Sequence, residues 1–225
     1  GNIIVTADNA GGNNGSTLFM TDGALFTAGA GTITLNADGS ITLGGLSTTN
    51  ATASAVAATS TSGGIVDGGD TDVDIVADTV GAGVTLTAGT AIGGAGALET
   101  TVAGLTATAN NGSVDIAETN GLTLTSIVAT GGGNDVTVTS TTGNITVATV
   151  TAPDDVSLTA TAGAIVDDGA GGTQISGDAL TLQASTGIGS ADALETTIAS
   201  LSATNSTGGN VQIAEADGLT LTTVT

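Results

Sequence analysis

Apolar and polar residues alternate over most of this chain. The pattern is clearest in NDVTVTS (134–140), NITVATV (144–150), DVSLTATAG (155–163), ALTLQAS (179–185) and NVQIAEA (210–216). A period of two marks a strand with one buried face, and most of these runs are bounded by Gly, Asn or Asp. On this register Leu122, Leu124, Val136, Val138, Ile145, Val147, Val156 and Leu158 point inward, while Thr123 and Thr146 point outward. ALETTIASLSA (193–203) spaces Leu194, Ile198 and Leu201 as a helix would. Its counterpart carries Gly104 mid-segment and both are Thr-rich, so strand or loop is the reading.

The alternation sits inside a longer repeat. IGGAGALETTVAGLTAT (92–108) matches IGSADALETTIASLSAT (188–204), and VDIAETNGLTLT (114–125) matches VQIAEADGLTLT (211–222). GIVDGG (64–69) likewise matches AIVDDG (164–169), and GSITLGGL (39–46) matches GNITVATV (143–150). The unit is about a hundred residues, with boundaries near 120 and 217, and its small insertions fall at Gly/Asn/Ser clusters. Breaking it at recurrent turns gives 121–143, 144–163, 164–187 and 188–217, each one coil of a parallel β-solenoid. The expectation is an all-β chain, residues 1–225 forming a single continuous β-helix with about four coils per repeat. Some nine coils at about 4.8 Å each make a rod of order 45 Å. A β-sandwich of antiparallel hairpins is the alternative, disfavoured because two-residue Asn-Gly and Asp-Gly turns are too few to join every strand pair.

Composition sharpens this picture. Hydrophobic residues are 40% of the chain but aromatics only 1%, so the core is built from Val, Ile, Leu and Ala. There is no Lys, Arg or His, against 21 Asp and Glu, for a formal charge of −21. Without cations the chain has no phosphate clamp, no Schiff-base amine and no nucleic-acid patch. Without Cys it has neither disulfides nor thiolate metal sites. No apolar run approaches the roughly 20 residues of a membrane span. The opening Gly1-Asn2-Ile3-Ile4-Val5 carries no initiator Met or basic leader, and reads as the start of a piece of a longer chain or filament.

The pattern GxIxVxxVxAxxxVxLTAxxGAI at 143–165, and the segment LETTIASLSATNSTGGNVQIAEADGLTL at 194–221, resemble the large bacterial exoproteins related to filamentous haemagglutinin. The resemblance covers essentially the whole chain. It implies a right-handed parallel β-helix, export to the cell surface, and a long adhesive or structural fibre. The family's amino-terminal secretion domain is not in this stretch, and the resemblance supplies no catalytic or receptor-binding residue.

The sharpest local feature is DTDVDIVAD at 70–78. If extended, it lines Asp70, Asp72, Asp74 and Asp78 along one face about 6.6 Å apart, with Asp67 nearby. Such a face offers the oxygen ligands that Ca²⁺ takes, so these five residues are the candidate calcium ligands. The competing reading is a solvated acidic face; the second repeat carries GTQISGDA there, and neither an EF-hand nor a tandem GGxGxDxUx array is present. Asp154-Asp155 and Asp167-Asp168 read as turn residues that accept backbone N–H bonds. Thr-x-Thr recurs at 32, 85, 106, 123, 137, 159 and 220, which raises an ice-binding reading. Gaps of 14 to 61 residues match no fixed coil length, so these are read as ordinary outward threonines. Asn-x-Ser/Thr sequons stand at Asn14, Asn50, Asn111, Asn144 and Asn205, potential surface glycosylation sites.

The function this supports is a non-enzymatic extracellular fibre segment on a bacterial surface. Its partners would be further coils, by self-association end to end or continuation of the chain, and host or neighbouring cells. The alternative is a calcium-dependent surface-layer or binding module. Because every ionisable side chain is a carboxylate, nothing is expected to titrate between about pH 6 and 8.

Overall fold

A computed structural model describes residues 1–7, 15–21, 23–69 and 71–225. The chain is a right-handed parallel β-solenoid with coils of about 21 residues. All pairings between its named strands are parallel, in ladders of twelve, ten and three strands. The ten-strand path from Ile3–Ala7 to Ile213–Glu215 spans about 43 Å at the strand spacing of about 4.8 Å. Among the described residues no helix is long and apolar enough to cross a membrane.

The expected register holds. Leu122, Leu124, Val136, Val138, Ile145, Val147, Val156 and Leu158 are all buried, and Thr123 and Thr146 lie on the outer side, partly exposed. Like residues stack on like: Val136 on Val156 and Leu180, Val138 on Leu158 and Leu182. Each coil therefore covers the apolar edge of the one before, and no residue needs a thick interior. This is how a chain with two Phe and no Trp or Tyr fills its core.

The cross-section changes half way along. In the first half one long strand per coil (Val56–Ser60, Gly83–Ala88, Gly104–Ala109) faces two short ones, such as Ile65–Val66 and Ile75–Ala77. Beyond Val114–Glu118 the roles exchange. Val136–Ser140, Val156–Ala160, Ala179–Ala184 and Ser200–Asn205 become the long face, opposite the short pairs Ile145–Val147 with Val150–Thr151 and Ile165–Asp167 with Ile175–Ser176. The repeat explains the exchange. Four coils from Leu98 pass Ile116, Val138 and Leu158 to Leu182, and Leu194, the repeat equivalent of Leu98, lies half a coil further on the opposite sheet. The hundred-residue unit thus advances about four and a half coils, and equivalent residues face opposite sides of the rod.

One corner shows why turn residues are constrained. Gly121, Gly143 and Gly163 stack at the entry to successive coils. A Cβ on Gly163 would sit 2.1 Å from the Gly143 carbonyl oxygen, and one on Gly143 would sit 2.3 Å from the Gly121 nitrogen. Only a residue without a side chain lets the coils close to their normal spacing here.

Candidate functional site

The short strands Ile65–Val66 and Ile75–Ala77 are joined by a loop over 67–74, where the preceding coil turns the same corner through Leu43 and Gly44 alone. The longer loop carries Asp67 out of its strand and returns the chain at Asp74. There the Asp74 N–H donates to the Glu99 carbonyl at 2.9 Å, and the Glu99 N–H donates to Asp74 Oδ2 at 3.0 Å. Asp67 Oδ1 accepts from Gly69 N–H at 2.9 Å, the bond of an Asx turn. The result is a corner where carboxylate oxygens of Asp67, Asp74 and Glu99 lie within 4.8 Å of one another.

Asp74 is the buried member, at 2% exposure. Burial pushes its carboxyl up to about 8, against the lowering effect of the Glu99 N–H; the charges of Asp67 and Glu99 and a hydrogen bond to the Glu99 carboxyl raise it further. Three carboxyl groups this close do not all ionise unaided. Either a proton is held on Asp74, or a hard cation that takes oxygen ligands, such as Ca²⁺, neutralises the group.

The second repeat contains a matching trio at this corner, with one of the three carboxyl groups replaced by an amide. Asp167, Gln174 and Glu195 occupy the places of Asp67, Asp74 and Glu99. The Gln174 N–H donates to the Glu195 carbonyl at 2.8 Å, and the Glu195 N–H donates to Gln174 Oε1 at 2.7 Å. Gln174 is likewise 2% exposed, and its Nε2 donates to the Ala170 carbonyl at 2.9 Å. A neutral amide thus does in one repeat what the buried acid does in the other. Asp167 remains raised, first by burial and then by its acidic neighbours Asp168 and Glu195.

Of the four described residues among the five singled out in the sequence, this corner gathers Asp67 and Asp74. Asp70 lies outside the described residues. Asp72 and Asp78 are exposed, and Asp78 Oδ2 accepts from Asn120 Nδ2 at 2.9 Å. Asp72, Asp74 and Asp78 do not share one face, Asp74 being buried while the other two are exposed. Regular strand begins only at Ile75, and Asp74 and Ile75 are buried in succession, so strict alternation fails there. Glu99 was missed because it stands on the next coil, 25 residues further along the chain, although ALETT occurs in both repeats.

A second acidic cluster, Asp135, Asp154 and Asp155, also brings its oxygens within 4.8 Å. It is built as a ladder of turn acceptors: Asp135 N–H donates to Ser113 Oγ at 3.0 Å, Asp155 N–H to Asp135 Oδ1 at 3.1 Å and Ala179 N–H to Asp155 Oδ1 at 3.2 Å. Asp154 is raised chiefly by the charge of Asp155. Asp168 Oδ1 accepts from Ala170 N–H at 3.0 Å, also as a turn residue.

Glu118 is an acid that the alternation of Val114–Glu118 places inward with Val114 and Ile116, but that was not singled out from the sequence. It is 1% exposed and faces the core side of the strand Val114–Glu118. Its carboxylate accepts from Thr100 Oγ1 at 2.7 Å, from Val102 N–H at 3.2 Å and from Asn120 N–H at 3.1 Å, tying two coils together. Burial pushes it up to about 7, with the nearby charge of Asp78 adding to the shift while the three donors oppose it. Asp74 and Glu118 together correct the expectation that nothing titrates near neutral pH. Both are taken out of water by packing against neighbouring coils, and it is this packing that raises them.

The acidic clusters could coordinate a divalent cation such as calcium. No family model, no curated protein and no solved structure matches the chain.

Proposed function

We propose that the chain is a segment of an extracellular structural or adhesive fibre, a stiff spacer built from stacked coils. The observation that supports this best is the unbroken parallel ladder over the described residues, in which each coil is held by the next and the outer surface carries little chemistry. In this role the rod is continued by further coils, in the same chain or in another copy, and it works at the cell surface. Force spectroscopy on the solenoid held between marker domains tests it. A shaft resists and then yields coil by coil, each coil of about 21 residues releasing about 70 Å of extended chain. Extension at negligible force contradicts a load-bearing role.

The second reading is a calcium-dependent surface-layer or binding module, and the convergence of Asp67, Asp74 and Glu99 favours it. A melting temperature raised by millimolar Ca²⁺ well beyond ionic-strength-matched NaCl, and lost in Asp74→Asn, supports that reading. Equal effects of the two salts leave the corner as a proton-holding structural feature.

A further inference from the structure

The matching corners of the two repeats satisfy their carboxylates differently. In the first, Asp74 hydrogen-bonds to the Glu99 carboxyl, and Asp67 Oδ1 accepts from the Gly69 N–H at 2.9 Å. In the second, buried Gln174 stands in the place of Asp74 and is committed to the backbone. Its Oε1 accepts from the Glu195 N–H at 2.7 Å, and its Nε2 donates to the Ala170 carbonyl at 2.9 Å. Three carboxylate oxygens are left over: Asp167 Oδ1, Asp167 Oδ2 and Glu195 Oε2 are sealed from solvent and have no hydrogen-bond partner. The Gly169 N–H and the Asp168 carboxyl come near enough to shift Asp167 down and up respectively, yet neither makes a bond of hydrogen-bond geometry. The charge of Glu195 also raises the Asp167 carboxyl, so the two acids lie within each other's field.

Buried oxygens are almost always hydrogen-bonded, and an ionised one without a partner is costly, so three in one corner call for a ligand. The chain has no Lys, Arg or His, so no side chain can supply the missing charge. A water offers two donors and no charge, and a proton makes a single bond. A cation is coordinated by all three oxygens and neutralises both groups. Calcium suits such a set, because it takes six to eight oxygens in irregular arrangements, bidentate carboxylates and amide carbonyls included, whereas Mg²⁺ demands a near-ideal octahedron. Gln174 Oε1 keeps a second lone pair for the purpose. The two acids are also firmly placed, since Asp167 ends the strand Ile165–Asp167 and Glu195 stands on Leu194–Thr197.

We propose that Asp167 and Glu195, with the Gln174 amide beside them, form a calcium site in the second repeat, separate from the Asp67–Asp74–Glu99 corner. The ion ties successive coils together: Ile165 pairs with Ile188 at the start of the next coil, and Ile175–Ser176 pairs with Thr196–Thr197 of the strand that carries Glu195. The amide is what sets this corner apart. Asp74 holds a proton of its own in the first repeat, whereas Gln174 leaves two acids whose charge only an outside cation cancels. The proposal rests neither on the spacer role nor on calcium at the first corner, because different carboxyl groups are involved.

Calorimetric titration of the purified chain with CaCl₂ at physiological ionic strength tests it, alongside melting temperatures in CaCl₂ and in EDTA. The wild type should show saturable binding with a Kd of about 10⁻⁴ to 10⁻³ M, the range of extracellular calcium modules. Asp167→Asn or Glu195→Gln alone should weaken this site about tenfold or more, since affinity follows ligand charge. The two together should remove one equivalent of bound calcium, which Asp74→Asn retains. In EDTA the double variant should melt at or above the wild type, because its amides bury no unpaired charge, a result that a damaged fold cannot imitate. Calcium uptake that never saturates in the wild type overturns the proposal, as does a folded double variant that binds the same amount with the same affinity. A sole saturable site that Asp74→Asn loses and the double variant keeps belongs to the first corner, and likewise overturns it.

Discussion

Replacing Glu118 with Gln isolates the energetic consequence of burying an acid in a chain without cations. Glu118 is 1% exposed and pushed from its ordinary 4.5 up to about 7. The folded state therefore holds this proton more tightly than the unfolded chain does. Stability from this group is fully present below about pH 4.5, falls as pH rises through the interval to about 7, and levels off above it. At about 1.4 kcal/mol per pH unit, the loss across that interval has an upper bound of about 3 kcal/mol. Glutamine keeps an acceptor oxygen for the Val102 and Asn120 N–H groups and has no charge to desolvate. Urea unfolding at intervals from pH 4 to 9, for both proteins, gives the difference directly. The wild type should weaken relative to Glu118→Gln by up to that amount between pH 4.5 and 7, and run parallel to it above. Parallel profiles throughout, or a wild type that gains on the variant as pH rises, would refute the reasoning.

Asp74→Asn should act in the same direction over a wider interval. It should remove the decline that accompanies ionisation of Asp74 up to about pH 8 and raise the melting temperature at alkaline pH, in step with the neutral Gln174 of the second repeat. Gly163→Ala drives a Cβ to 2.1 Å from the Gly143 carbonyl oxygen and should cost about 2 kcal/mol or more in denaturant unfolding. With a charge of −21, the melting temperature at pH 7 should climb as NaCl is raised, because screening acts over about 8 Å at physiological ionic strength.

The fold was largely legible because a solenoid is local in character. Alternation alone fixed which side of Val136, Ile145 and Leu158 faces in, and the repeat fixed that coils stack. Three features were not legible, for one reason each. The half-coil offset between Leu98 and Leu194 depends on counting loop residues at corners, where length is free to vary. The meeting of Glu99 with Asp67 and Asp74 depends on contact between successive coils, and the alternation rule that placed Asp74 beside Asp72 fails where the chain turns into Ile75. The alignment of Thr159 over Thr139 was hidden because unequal coil lengths in sequence become equal steps in space.

The coil stack itself is tested most directly by distances between paired spin labels, since the chain has no cysteine to interfere. Asn36, Thr59, Thr87, Thr108, Val128, Thr151 and Ser176 form one outward column. With one label fixed at Ser176, a second at Asn36 should lie about 29 Å away and at Thr87 about 19 Å away, each coil contributing about 4.8 Å. Narrow distributions at these separations are the result expected of a stiff parallel solenoid. Separations that do not fall in order along the column, as strands shuffled into two packed sheets would give, would contradict it.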